Sequence, residues 1–516
     1  MTPGVRTLWR LAASWTFSLL AGCMQLQARP PLPDDFAIAT AGDAALDRAT
    51  APLEARHPGQ SAFRLVVEGT EAFVSRMQAV RMAARSLDIQ MYIWHADLTG
   101  TYFAQEVLSA ADRGVRVRML LDDMDARRHN DGIAALSAHA NIEVRAFNPF
   151  ASRRGMLGFI GEGATSFSRI NRRMHNKSWI ADNRLAIIGG RNIGDEYFGA
   201  SEELNFIDLD FAMIGPIVRD ASASFDKYWN SPSAYPMEVL DPDRITAAAL
   251  ERLRHVLSRR TKQAQNSRYA KALRADDAIA RMVAGDWPML WSANYRFVSD
   301  DPLKVSMKKQ DATRTHVGSA LVPMVRATQA RLSIISPYFV PGEDVTGMLV
   351  SAARDGRSVR VLTNSLVAND VAAVHGGYSR YRKALVEGGV QLWELKPLAG
   401  AKVDASFLGS SGASLHTKAF AVDGRTLFVG SYNLDPRSTW LNCEQGVLVE
   451  NDALALQLEE IFDRQTSGER AWRVVLEKDK LLWSDGHERL DEDPHASWGR
   501  RFQAWLARVF RLDAQL

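Results

Sequence analysis

Two cysteines, Cys23 and Cys443, are all the thiol chemistry that this 516-residue chain possesses. That excludes a disulfide-stapled fold, and with it a thiolate metal site. The chain also lacks an excess of charge of one sign, with 63 Lys and Arg against 60 Asp and Glu. Proteins that hold nucleic acid by neutralising phosphates carry a stronger basic excess, so no nucleic-acid partner is expected. The 11 histidines include no His-Glu-x-x-His and no Cys/His cluster, so no metal is expected. No apolar run reaches the roughly 20 residues that a membrane span requires. What remains is an ordinary globular composition, 46% apolar and 24% charged, long enough for about three to four domains. Disordered and collagen-like classes are thereby excluded.

The N-terminus carries Arg6 and Arg10 around the start of an apolar stretch from Leu8 to Leu20, which reads as a secretory signal. It ends in Leu20-Ala21-Gly22-Cys23, which resembles the lipobox of bacterial lipoproteins. The resemblance implies removal of residues 1–22 and lipidation of Cys23. Loss of the two arginines takes the formal charge from +3 to about +1. The expected location is the bacterial cell envelope, lipid-anchored and facing the periplasm. Met24 is not the Asp associated with inner-membrane retention, so either membrane stays open. Residues 23–60, with Pro30-Pro31-Leu32-Pro33, show no sustained periodicity and read as a tether. Cys443 is then the lone thiol, expected to be a small buried residue.

The body is one unit written twice. Residues 175–192 read HNKSWIADNRLAIIGGRN and residues 416–433 read HTKAFAVDGRTLFVGSYN. His416 lies 241 positions after His175, and the same 241 separates Lys418 from Lys177, Asp423 from Asp182, and Asn433 from Asn192. Upstream, strand-like segments correspond in order: Leu87–Trp94 with Leu332–Val340, Val115–Leu121 with Val359–Leu362, and Ile142–Phe147 with Val390–Leu395. Helical stretches alternate with them, which argues for an α/β fold of two similar lobes, each a mostly parallel sheet covered by helices. The expected divisions are a first lobe at 61–219, a helical connector at 220–288, a second lobe at 289–480 and a C-terminal amphipathic segment at 481–516. In the last, Phe502, Trp505, Leu506, Val509 and Phe510 share one face, flanked by Arg500, Arg501, Arg508 and Arg511. Such a helix either lies on an anionic membrane or docks on the lobes.

The duplicated His-x-Lys-x4-Asp pattern with its Gly and Asn extensions resembles the HKD signature of the phospholipase D superfamily. Arg172–Lys177, Gly189–Asp195, Leu362–Leu366 and Gly412–His416 resemble the short C-type bacterial cardiolipin synthases. The resemblance covers residues 60–480 and implies two lobes meeting at one active site.

The residue types suit phosphodiester chemistry independently of that likeness. A neutral imidazole attacks phosphorus, while a second, protonated imidazole gives its proton to the departing alcohol. Lys177, Lys418, Asn192 and Asn433 suit the charge that develops on the nonbridging oxygens, with no cofactor required. Family analogy assigns His175 as nucleophile and His416 as acid and base, although the near symmetry of the motifs leaves the assignment open. Each histidine needs a carboxylate to hold its tautomer. Asp208 and Glu444, each just before an apolar strand, are the candidates. Asp182 and Asp423 complete the catalytic motif and are expected to organise the lysine and the following turn. The implied reaction transfers a phosphatidyl group to phosphatidylglycerol, from another phosphatidylglycerol or from phosphatidylethanolamine, at a membrane, and needs no oligomer. Alternatives are phospholipase D hydrolysis to phosphatidic acid, a phosphodiesterase nuclease, or a lipid-binding scaffold.

Overall fold

The computed structural model describes residues 26–40, 42–126, 130–152, 162, 166–202, 204–275, 281, 287–307, 317–369, 371–397 and 414–509. The signal segment, Cys23 and residues 510–516 lie outside these.

The first half contributes β1 (Ser61–Val66), β2 (Ser86–Met91), β3 (Arg116–Asp122), β4 (Ile142–Phe147), β5 (Ser178–Ala181), β6 (Leu185–Gly189), β7 (Phe206–Ile207), β8 (Asp210–Ile214), β9 (Ala234–Pro236) and β10 (Leu290–Ser292). All but β7 form a nine-stranded sheet in the order β10-β1-β8-β6-β5-β2-β3-β4-β9. The second half contributes β11 (Tyr295–Ser299), β12 (Arg331–Ile335), β13 (Ser358–Asn364), β14 (Gln391–Leu395), β15 (Ser414–Leu415), β16 (Ala419–Val422), β17 (Thr426–Gly430), β18 (Gln445–Glu450), β19 (Ala471–Glu477), β20 (Lys480–Ser484) and β21 (Arg489–Leu490). All but β15 form a ten-stranded sheet in the order β11-β18-β17-β16-β12-β13-β14-β19-β20-β21. The run β8-β6-β5-β2-β3-β4 matches β18-β17-β16-β12-β13-β14 strand for strand, so the repeat in sequence is a repeat of topology.

The two α/β lobes are as expected, but their sheets are not mostly parallel. Parallel pairing within them is confined to β2-β3-β4 and β12-β13-β14. Parallel neighbours need a crossover long enough for a helix, which Leu98–Asp112 and Gly342–Arg354 supply. The motif strands instead follow one another through tight turns, and a tight turn forces antiparallel pairing: β5 with β6, and β16 with β17. The turns carry φ of 51° and 55° at Asp182 and Asn183, and of 55° and 63° at Asp423 and Gly424. A type I′ hairpin requires positive φ at both central residues, which Asp, Asn and Gly tolerate best.

The sheets also cross the divisions read from sequence. β10, expected in the second lobe, closes the edge of the first sheet against β1. β9, expected in the connector, pairs with β4. The connector helix Ala247–Gln263 packs on Leu98–Asp112. Ile180, Ile188 and Phe211 of the first sheet share one buried core with Ala421, Val429 and Val447 of the second. The lobes therefore have a common interior, and Cys443 is buried in it.

Candidate active site

Each motif histidine is delivered by a short segment that pairs with the opposite lobe. β15 pairs in parallel with β7, and the N–H groups of His416 and Thr417 donate to Ile207 O at 2.8 and 3.0 Å. In the mirror arrangement Met174 bridges Cys443, and His175 N donates to Cys443 O at 2.8 Å. The residue after each of these acceptors is a buried carboxylate. Glu444 Oε2 lies 2.9 Å from His175 Nδ1, and Asp208 Oδ2 lies 2.6 Å from His416 Nδ1. Each imidazole is thus oriented by a carboxylate from the other lobe. With Nδ1–H facing a carboxylate, Nε2 is left as the acceptor nitrogen.

Lys177 Nζ donates to His175 O and Lys418 Nζ to His416 O, both at 2.5 Å. Burial, with Lys418 adding to it, depresses Lys177 well below the ordinary lysine range, against the pull of Glu444. Lys177 and Lys418 are both buried and feel one another's charge, and an anion entering beside them would relieve that repulsion. Burial takes His175 down to about 4, opposed by Glu444, and takes His416 down to about 3, with Lys418 assisting. Burial alone would raise Asp208 and Glu444, but the facing imidazole and lysine outweigh it and hold both carboxyls below their usual range.

These shifts set a stability window. In the unfolded chain a histidine takes its proton near pH 6.5, whereas folded His175 stays neutral until about 4. Between those values the unfolded state binds more protons, so stability rises with pH through the window and levels off above it. Thermal melts at pH 5 and 7 are expected to differ less in a His175→Gln/His416→Gln variant than in the wild type.

Asp208 lies where any side chain at residue 190 would be. A Cβ on Gly190 would stand 2.1 Å from Asp208 Oδ1. Residue 431, at the repeat position of Gly190, is a serine, and its Oγ donates to Glu444 Oε2 at 2.5 Å. Gly190→Ala is expected to push Asp208 off His416 and lower turnover about 10²-fold, the usual effect of displacing a catalytic group by an ångström. Unchanged kcat with an unchanged melting temperature would contradict this.

The motif aspartates, grouped with the catalytic residues by sequence, organise neither the lysine nor the site. The Asp182 carboxylate accepts from the N–H groups of Ala84, Arg85 and Ser86 at 2.7 to 3.1 Å, and Asp423 accepts from Gln329, Ala330 and Arg331 at 2.8 Å. They pin the loops that enter β2 and β12, at the far end of the motif strand from the lysine. Asp182→Ala leaves three donors without their acceptor, and is expected to destabilise by about 3 to 5 kcal/mol while folded protein keeps its turnover. Urea unfolding beside a specific-activity assay tests this.

Asn192 is engaged within the protein, its Oδ1 accepting from Ile93 N at 3.2 Å and its Nδ2 donating to Tyr197 OH at 2.9 Å. Asn433 Oδ1 is buried with no hydrogen-bond partner. Sequence reasoning missed four supporting residues. Asp122, at the end of β3, accepts from Met174 N at 2.8 Å, and Asn364, at the end of β13, binds both N and O of Leu415. Each therefore fixes the residue before a motif histidine, and their like places in the repeat were the available signal. Ser431 holds Glu444, and the Tyr197 ring meets His416 edge-on at 5.2 Å. Tyr92 stands 5.2 Å from His175, whereas Trp94 and Phe339 belong to the core.

Among the described residues two groups have a metal-compatible spacing, His95 with Asp97 and Glu196, and His375 with Glu394 and Asp493. Neither contains a motif histidine.

The family described as "Cardiolipin synthase, PLD-like domain" matches the chain twice, at residues 77–229 and 321–466. The chain belongs to this phospholipase D-like cardiolipin synthase family. Cardiolipin synthase C of Escherichia coli (strain K12) is 40% identical over 479 residues, spanning 91% of this chain and 99% of that protein. An uncharacterized protein of Helicobacter pylori (strain J99) is 31% identical over 433 residues, 84% of each chain. Among solved structures, a phosphatidylserine synthase of Haemophilus influenzae Rd KW20 superposes with a TM-score of 0.57 at 14% identity, covering 91% of this chain and 98% of that one. That likeness shows the fold. The two matches of the cardiolipin synthase family contain the two histidine motifs, one in each.

Proposed function

We propose that this protein is a phosphatidyltransferase that forms cardiolipin from phosphatidylglycerol and a second phospholipid through a phosphohistidine. The observation that carries the reading is the exchanged pair of histidine–carboxylate contacts, with two lysines beside them, in a chain 40% identical to a cardiolipin synthase.

His175 is the nucleophile. Burial keeps it neutral at pH 7, and Glu444 presents its Nε2 lone pair. Attack forms an N–P bond and breaks the bond from phosphorus to the head-group oxygen. His416, protonated once the anionic substrate enters beside Asp208, gives its proton to that oxygen, releasing glycerol from phosphatidylglycerol or ethanolamine from phosphatidylethanolamine. In the second half the hydroxyl of phosphatidylglycerol loses its proton to His416, its oxygen attacks phosphorus, and the N–P bond breaks. Lys177 and Lys418 stabilise charge on the nonbridging oxygens. Water in place of the hydroxyl would give phosphatidic acid from the same intermediate.

No helix among the described residues is long and apolar enough to cross a membrane, and the lipobox-like Cys23 supports a periplasm-facing lipid anchor. Purified protein incubated with phosphatidylglycerol vesicles, with and without phosphatidylethanolamine, is read by lipid mass spectrometry. Cardiolipin that requires His175 is the expected product. Phosphatidic acid alone would replace the transferase reading with a hydrolase.

A further inference from the structure

The C-terminal helix Trp498–Val509 shows two opposite faces. Ala504 and Ala507 are buried against the helix Ala372–Glu387, so closely that a Cβ on Gly376 would stand 2.4 Å from Ala504 O. Arg500, which sequence placed on the polar flank, is buried and donates to Asn369 O. On the outer side Trp498, Phe502, Trp505 and Val509 are 78%, 42%, 54% and 53% exposed. At about 100° per residue these four fall within an arc of about 60°. Their rings stack, Trp498 on Phe502 at 5.3 Å and Phe502 on Trp505 at 5.8 Å. The helix is therefore anchored by its small residues, with a continuous aromatic surface held outward.

Charge and position say what covers that surface. Arg501 and Arg508 lie along one flank and, with Arg382, Lys383 and Lys480, line a cleft of about 570 Å³ beside it. Asp491, Glu492 and Asp493 line it too, Glu492 pairing with Arg501 at 2.5 Å, so the cations of the cleft outnumber its acids five to three. The aromatic face is thus bordered by a flank of net positive charge, which suits a helix that lies in the plane of an anionic bilayer. The same helix packs Ala504 on Leu366 and Val367, in the loop after β13. Asn364, two residues earlier, holds Leu415 and so His416. The helix and the reacting site are thus linked through one short segment, Asn364 to Val367.

We propose that this helix face seats the protein on a bilayer of anionic phospholipid and presents the active site to it. The inference rests on the phosphatidyltransferase reading for its choice of partner. It differs from the lipid anchor at Cys23, because it orients the catalytic body rather than tethering it.

The test uses the full-length chain with Cys23→Ser and Val509→Cys, labelled with an environment-sensitive fluorophore. Cys443 is buried, so residue 509 carries the reactive thiol. Phosphatidylglycerol vesicles are expected to blue-shift the label, and phosphatidylcholine vesicles to shift it less. The same label at Leu456, exposed on another helix, is expected to stay unchanged. Trp498→Glu/Trp505→Glu in the unlabelled chain is expected to lower turnover of vesicle phosphatidylglycerol about tenfold or more. Turnover of a short-chain, monomerically dissolved phosphatidylglycerol should be unaffected. No shift at residue 509, an equal shift at 456, or self-association abolished by the two glutamates would overturn the proposal. A shift at 509 in a protein that turns over neither lipid would overturn the enzymatic reading and leave the docking surface standing.

Discussion

Alanine at either His175 or His416 is expected to lower phosphatidyl transfer by about 10⁴-fold or more, with the melting transition retained. The two histidines divide one reaction between them, so losing either removes both half-reactions. Each loss is survivable for the fold because the partner carboxylate keeps other contacts: Glu444 retains Ser431, and Asp208 retains Leu209 N. The roles can be separated with a lipid whose leaving group, such as p-nitrophenolate, departs without a proton. His416→Ala then still forms the first N–P bond but has no base for the second half. Mass spectrometry is expected to find a phosphatidyl adduct on His175 in that variant, and none in His175→Ala. An adduct on His416 in the His175→Ala protein would reverse the assignment. Substantial residual turnover in either alanine variant would sink the two-histidine mechanism.

Asp208→Asn and Glu444→Gln are each expected to lower turnover by about 10² to 10⁴-fold, although each leaves nearly the same shape. An amide turned N–H outward forces the proton of the imidazole from Nδ1 to Nε2. The nitrogen that faces substrate then loses its lone pair. The pairing also fixes which substitutions interact. His175 and Glu444 are in contact, as are His416 and Asp208, so the double variants His175→Ala/Glu444→Gln and His416→Ala/Asp208→Asn are expected to be scarcely worse than the histidine variants alone. A carboxylate substitution that couples instead to the histidine of its own lobe would refute the exchange.

Much of this was legible in the chain itself. The 241-residue repeat at His175, Lys177, Asp182 and Asn192 marked two equivalent units, and the apolar segments between turns marked their strands. Sheet polarity was misread because β-branched, apolar strands look alike whether their neighbours are parallel or antiparallel. What separates them is the length of the connection, and the three residues between β5 and β6 leave no room for a crossover. The motif aspartates were misplaced for a related reason. Their spacing from lysine is constant, but a four-residue strand carries them to the opposite end of the sheet, where backbone donors await.

The sequence by itself determined the duplicated unit, the reacting residue types and the two candidate carboxylates, because each of these is a local pattern that survives without coordinates. Only the tertiary structure decided the partners. Asp208 and Glu444 each sit in one lobe and serve the histidine of the other, through parallel bridges between segments more than 200 residues apart, Phe206–Ile207 with Ser414–Leu415 and Met174 with Cys443. No local pattern encodes that exchange, since it arises from two sheets closing over a common core and bringing distant edges into hydrogen-bond reach.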